Sequence, residues 1–316
     1  MLKVGTDFSG IGSPEQALKN LGVKHKLMFA CDVDKYAKQS FLSNNNPEIF
    51  YNDITKRNHK NTPDIDLYVA GFPCQSFSCA GKRKGFEDTR GTLFFELLKY
   101  LKVKKPKYFI LENVKGLLSH DAGKTFAIIL DCLALTVNRQ YSFTTYDESL
   151  NYYIYYKLLN TKDYGIPQNR ERVFIVGFKD KNHDFKFPKP VKLEKKISDF
   201  LETKHSQNLE IKGVAQRGRV DNKNKYKKQT EIRKDNLINT IIKDQTTSMI
   251  KIGNNIRKFS PLEALRFQGF PDQFYYNCKH NGISNTQIYN QAGNSITVNV
   301  MSALINGILK NENNVK

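Results

Sequence analysis

Two hydrophobic periods take turns along the first 180 residues. Leu2 to Phe8 reads as a first strand. Ser13-Pro14-Glu15-Gln16 then opens a helix, with Ser13 placed to cap it, Pro14 at the first helical position and Gln16 closing a capping box. Lys26 to Asp32 reads as a second strand, and Asp34 caps a helix carrying Tyr36, Ala37 and Phe41. A third strand is expected to end near Tyr51-Asn52. Ile65 to Ala70, Tyr108 to Leu111 (running on into Glu112-Asn113-Val114) and Arg172 to Gly177 supply further strands. Strands alternating with helical segments are the signature of βαβ units, so an α/β fold with a mainly parallel sheet is expected.

Beyond Gly177 the pattern changes. Residues 179–256 are rich in Lys and Asn with poor periodicity, and the islands Leu237-Ile238 and Ile241-Ile242 suggest short strands. Ser260-Pro261-Leu262-Glu263 repeats the Ser-Pro-x-Glu helix start, and Asn294 to Leu309 suits a last helix. No internal repeat is present.

Composition narrows the partner. A chain of 316 residues has room for one large domain and a smaller one. Its net charge of +19 suggests a polyanionic partner, most simply nucleic acid, although a Lys-rich proteome could inflate the figure. Distribution favours a binding surface: residues 181–258 carry 20 Lys and Arg against 9 Asp and Glu. The five cysteines, Cys31, Cys74, Cys79, Cys132 and Cys278, form neither a C-x-x-C pair nor a disulfide framework, so no metal is expected. With no leader-like start and no apolar run near the ~18 residues of a membrane span, a soluble protein of a reducing cytoplasm is expected.

The candidate chemistry sits at strand ends. Gly71-Phe72-Pro73-Cys74-Gln75-Ser76 follows a strand directly, which sets the Cys74 thiol where open α/β sheets bind ligands. The loop Asp7-Phe8-Ser9-Gly10-Ile11-Gly12-Ser13 has glycines that let the backbone approach a ligand, ahead of a helix N-terminus. Glu15 stands where a dinucleotide fingerprint would have its third glycine. Asp32, at the end of the second strand, is placed to accept from ribose hydroxyls, and Asp53 to contact an adenine. Together these acids favour an adenosine-containing cofactor over separate solvated roles, with a NAD enzyme still open.

These blocks resemble the DNA (cytosine-5) methyltransferases. The resemblance runs in family order through Asp7–Gly12, Asp32–Ala37, Asp53-Ile54, Gly71–Ser78, Glu112-Asn113-Val114, Gln168-Asn169-Arg170-Glu171-Arg172, Arg257–Pro271 and Gly293–Val298. It implies a Rossmann-like class I methyltransferase sheet with helices on both faces. Residues 1–180 and 286–316 would form the catalytic domain, and 181–285 a small inserted target-recognition domain, mainly β or irregular. It further implies S-adenosylmethionine as cofactor, S-adenosylhomocysteine as product, and double-stranded DNA as partner. Compact size suggests a monomeric bacterial or phage enzyme of restriction–modification type, with a possible cognate endonuclease.

The same resemblance assigns roles. Cys74 is the nucleophile that adds to carbon 6 of cytosine, Glu112 contacts ring nitrogen 3, and Arg172 and Arg170, with Gln168, support the charge changes. Phe8, Ser9, Gly10, Ile11, Gly12, Asp32, Val33, Asp53, Ile54, Gly71, Pro73, Leu93, Asn294, Ser295 and Ile296 match cofactor positions. Val33 is smaller than the aromatic that some members carry there. Ser76 to Phe94 matches a flexible loop, so Gln75, Ser78, Lys82, Arg83 and Lys84 are expected on DNA, the lysines and arginine on phosphates. Gln216, Arg217 and Arg219 are the candidates for reading bases, and Gln245 to Ser248 for a second reading loop. A tRNA cytosine methyltransferase would share the catalytic blocks, but its relatives' Cys-Phe-Thr tripeptide is missing here. A catalytically inactive DNA-binding relative is the remaining alternative.

Overall fold

The computed structural model of the chain describes residues 1–73, 93–141, 149–180, 185–203, 210–220, 226–243 and 248–313. In chain order the strands are β1 (Leu2–Asp7), β2 (His25–Cys31), β3 (Ile49–Tyr51), β4 (Leu67–Gly71), β5 (Tyr108–Val114), β6 (Ala134–Val137), β7 (Gln140–Tyr141), β8 (Tyr152–Asn160), β9 (Gln168–Asn169) and β10 (Glu171–Phe178). All but β9 join one sheet of order β3-β2-β1-β4-β5-β10-β8-β6-β7. β1 to β5 run parallel, and β10 is antiparallel to both β5 and β8. The expected α/β class with a parallel-dominated sheet is what forms.

The helices are α1 (Ser13–Asn20), α2 (Lys35–Leu42), α3 (Leu93–Lys104), α4 (Lys124–Leu133), α5 (Pro261–Arg266), α6 (Asp272–His280), α7 (Asn285–Asn294) and α8 (Val298–Asn313). Alternation along the strands decides which helices each face receives. Val4, Val69, Ile110 and Val176 share a core with Ala17, Phe41 and Leu304 of α1, α2 and α8. Phe29, Tyr68, Phe109 and Ile175 share the other with Leu97, Leu101 and Ile129 of α3 and α4. Each such side chain contributes roughly 1.5–3 kcal/mol by leaving water.

Asp34 and Ser260 cap as expected: Asp34 accepts from the N–H groups of Tyr36 and Ala37, and Ser260 forms a capping box with Glu263. Ser13 does not. The left-handed Gly12 (φ 88) starts α1, so Ser13 already lies inside the helix. Its hydroxyl lies 2.7 Å from that of Ser295, and Gln16 donates to Asn20 instead of closing a box. The expected last helix forms as α8 but begins at Val298, because Ser295-Ile296-Thr297 separate it from α7, with Ser295 extended (φ −69, ψ 150).

The remaining strands are β11 (Ile211–Val220), β12 (Tyr226–Ile232), β13 (Ile238–Asn239), β14 (Met249–Ile252) and β15 (Asn255–Lys258). Four of them form an antiparallel sheet of order β12-β11-β14-β15, while β13 pairs in parallel with β9. The second apolar island, Ile241-Ile242, is not a strand, because the Ile241 backbone bonds to the side chains of Gln168 and Arg170. Helix α6 packs back on α2: Phe274 and Cys278 join the core of Phe41, and Asn277 Nδ2 donates to Asn44 Oδ1 at 3.0 Å. No helix among the described residues is long and apolar enough to cross a membrane.

Candidate active site

The carboxyl ends of β1, β4 and β5 open on a cavity. Thr6 and Asp7 reach it from β1, Val69 and Gly71 from β4, and Glu112 from β5. The loop Phe8-Ser9-Gly10-Ile11 forms one wall, and Asn294, Ser295 and Ile296 form another. These two walls stand 282 residues apart in the chain and are joined by the Ser13–Ser295 hydroxyl pair.

Local rules shape the first wall. Phe8 takes a left-handed backbone (φ 52), a strained conformation for a bulky residue at the point where β1 must turn. The Ser9 hydroxyl donates to the carbonyl of Cys31, and the Cys31 N–H donates back to the Ser9 oxygen, which locks the loop to β2. Asp32 accepts the N–H of Gly10 at 2.8 Å and that of Asp34 at 2.9 Å. Burial raises the Asp32 carboxyl pKa, and these backbone donors oppose the rise.

The cavity presents both apolar and polar groups to a ligand. Ile11, Val69 and Ile296 offer apolar surface, while Ser9, Asn294 and Glu112 offer hydrogen-bonding groups. A Cβ on Gly71 would lie 3.4 Å from Glu112 Oε2 and 3.5 Å from Ile296 Cδ1, so a side chain there would fill space that glycine leaves open.

Not every expected cofactor residue lines this cavity. Phe8, Ser9, Gly10, Ile11, Gly71, Asn294, Ser295 and Ile296 do. Gly12 and Asp32 act one step behind it, starting the helix and holding the loop. Val33 is 82% exposed. Asp53 caps a short turn by accepting the Thr55 N–H and hydroxyl, bonds that hold its carboxyl below the usual range. Ile54 is buried in the core with Leu97, Leu93 packs against that core, and Pro73 is exposed.

At the rim, Glu112 Oε1 stands 3.1 Å from Arg172 Nε. Burial raises the Glu112 pKa, and Arg172 followed by Arg170 opposes the rise. Asn113, on the opposite strand face, donates to the carbonyl of Phe72 at 2.9 Å, anchoring the chain two residues before Cys74. Sequence reasoning passed over Asn113, although its place between Glu112 and Val114 was a signal. Cys74, Gln75, Ser78, Lys82, Arg83 and Lys84 lie outside the described residues.

Gln168 and Arg170 are found bonded to backbone. Gln168, fully buried, donates through Nε2 to the Phe267 carbonyl and accepts the Ile241 N–H. The Arg170 guanidinium donates to the carbonyls of Ile241, Gly293 and Ser295 at 2.9, 3.2 and 2.7 Å. Burial, with the nearby Arg172, lowers its pKa to about 9, which leaves it charged at neutral pH. Arg170 thus ties the cavity wall to the Ile241 segment. Gln216, Arg217 and Arg219 stand on β11, opposite Thr230, Gln229 and Lys227 of β12.

A family model described as C-5 cytosine-specific DNA methylase matches residues 5–310. The chain is 37% identical to the Type II methyltransferase M.NlaX of Neisseria lactamica, over 96% of this chain and 95% of that protein. It is 38% identical to the Type II methyltransferase M.HaeII of Haemophilus aegyptius, over 97% and 92%. The crystal structure of the S. pombe Dnmt2 methyltransferase superposes with a TM-score of 0.71 at 20% identity, covering 99% of this chain and all of that one, a likeness of fold.

Proposed function

The chain belongs to the C-5 cytosine-specific DNA methylase family, and from that premise we propose how its own residues methylate cytosine in DNA. The observation that carries the reading is the Glu112–Arg172 pair at the cavity rim, with Glu112 in register with Gly71, a residue that precedes Cys74 by three in the chain.

Carbon 5 of cytosine is a weak nucleophile until carbon 6 is attacked. Cys74, as thiolate, adds to carbon 6 and forms a covalent intermediate. Glu112 in its protonated form gives a hydrogen bond or proton to ring nitrogen 3, where negative charge develops. Arg172 steadies Glu112 and adds positive charge beside the reacting thiol. S-adenosylmethionine, when bound, supplies from its sulfonium the methyl group that carbon 5 takes up. Loss of the carbon 5 proton to a base, followed by departure of Cys74, restores the aromatic ring. Phe8, Ser9, Gly10, Ile11, Asn294, Ser295 and Ile296 would hold the cofactor, with Asp32 and Asp53 behind them.

A paired cytosine hides carbon 6, so the base must leave the stack. Gln75, Ser78, Lys82, Arg83 and Lys84 are proposed on the DNA backbone around the extruded base. Residues 181–285 are proposed as the recognition region, with Gln216, Arg217 and Arg219 on its antiparallel sheet as readers of a specific duplex sequence.

The test is trapping. An oligonucleotide with 5-fluorocytosine at the target position cannot lose the group at carbon 5, so it should stay bound to the enzyme through denaturing electrophoresis when methyl donor is present. Active enzyme that forms no such adduct rules out the covalent mechanism. Bisulfite mapping of DNA from expressing cells first identifies the target sequence.

A further inference from the structure

Beneath the cavity lies a buried ion pair that the mechanism does not use. Asp7, the last residue of β1, lines the cavity. Its oxygens accept both arms of the Arg57 guanidinium, Nη1 to Oδ1 at 2.7 Å and Nη2 to Oδ2 at 2.6 Å. The Tyr68 hydroxyl donates to the same carboxylate at 2.6 Å. Neither charged side chain has any solvent exposure. The guanidinium carbon stands 4.8 Å from the ring centre of Phe29, 5.1 Å from Tyr100 and 5.2 Å from Tyr51.

This arrangement joins two strand ends. Arg57 directly follows the short turn Ile54–Lys56, which Asp53 caps, and its N–H donates to the Ile54 carbonyl. Asp7 directly precedes Phe8 and Ser9 in the cavity wall. Pinning one to the other sets the Asp53–Ile54 turn against the first loop. A buried pair of charges contributes little net stability, since desolvation opposes the attraction, and apolar residues would fill the same space. What the pair adds is direction: a planar fork meets a carboxylate in one geometry, and three rings hold the fork in place.

We infer that Arg57 is a positioning residue for the cofactor site, fixing the Asp7 carboxylate at the end of β1 and with it the Phe8–Ile11 wall. The inference rests on the reading of the cavity as the S-adenosylmethionine site.

The experiment measures S-adenosylmethionine binding to the full chain by calorimetry, with thermal melting and duplex-DNA affinity on the same samples. Arg57→Lys keeps the charge but replaces the fork with a single ammonium. Its cofactor Kd should rise about tenfold, with the loss falling on KM for the cofactor more than on kcat, and duplex affinity should not change. The triple variant Asp7→Leu, Tyr68→Phe, Arg57→Met removes every polar atom of the cluster. Its melting midpoint should return close to that of the parent while cofactor binding stays at least about tenfold weaker. If Arg57→Lys, or a folded triple variant, binds the cofactor within about twofold of the parent, the inference is overturned. A parent chain that binds no S-adenosylmethionine overturns the reading of the cavity itself, and that failure is seen before any variant is made.

Discussion

Glu112 and Arg172 meet on a diagonal. Across the antiparallel β5–β10 pair, Glu112 faces Phe174 and Arg172 faces Val114, yet Arg172 Nε reaches Glu112 Oε1 at 3.1 Å. A long side chain spans the two-residue offset that such a sheet leaves between diagonal neighbours. The carboxyl is therefore desolvated and still paired with a cation.

From this pair follows a pH profile. Glu112 is to act protonated and Cys74 as thiolate, so the rate should rise with pH as the thiol ionises and fall as Glu112 loses its proton. Arg172 opposes the raised Glu112 pKa, so Arg172→Met should move the falling limb to higher pH while lowering the maximum. Glu112→Gln should remove that limb and cost about 10²–10⁴ in kcat. Initial methyl-transfer rates across the neutral range decide; an unmoved limb in Arg172→Met would count against the pairing.

Arg170→Met should damage stability and cofactor binding together. It leaves the carbonyls of Ile241, Gly293 and Ser295 buried without their donor. A loss of about 3 kcal/mol is expected, read from the urea midpoint. Because Ser295 lines the cavity, KM for S-adenosylmethionine should rise as well. A variant as stable as the parent would contradict the three-carbonyl clamp.

Glu15 predicts how stability depends on pH. It is 1% exposed, Oε1 accepts the Thr6 hydroxyl at 2.9 Å, and Oε2 has no partner. Burial pushes its pKa from 4.5 up to about 7. The folded state holds the proton where the unfolded chain has lost it, so this contribution is complete below about 4.5 and disappears as pH rises through about 7. The loss across that window is about 3 kcal/mol. Glu15→Gln should flatten the curve there, as measured by denaturation at several pH values. An unchanged slope would mean that Glu15 is ionised in the fold.

Gly293→Ala tests the seam between the cavity wall and the Ile242-Lys243 segment. A Cβ there would lie 2.7 Å from the Ile242 carbonyl carbon and 2.8 Å from the Lys243 nitrogen, backbone atoms with no rotamer to escape into. A cost of about 1–3 kcal/mol is expected, seen as a lower melting midpoint. Loss of less than about 0.5 kcal/mol would show that the two segments separate easily.

The candidate site was partly legible in the sequence. The cavity loop and the Glu112 strand end follow from motifs at strand ends, where an α/β sheet gathers its ligands, whereas the Asn294–Ile296 wall followed from the family resemblance. Val33 and Ile54 followed the same logic and do not line the cavity, since a motif position tells which loop a residue occupies and not which way its side chain turns. Ser13 failed as a cap for a nearby reason. The preceding Gly12 took the left-handed conformation that starts the helix, and the hydroxyl was left to meet Ser295.

From the chain alone came the turn-taking of strand and helix periods, the caps at Asp34 and Ser260, and the motif order that marks the family. The periods, the caps and each motif block depend on residues within a few positions of one another, and only the order of the blocks spans the chain. Tertiary structure alone decided that Arg170 serves carbonyls 71, 123 and 125 residues away, and that Arg57 finds its carboxylate 50 residues back. A buried guanidinium must satisfy its donors, but its acceptors come together only when distant segments close around it.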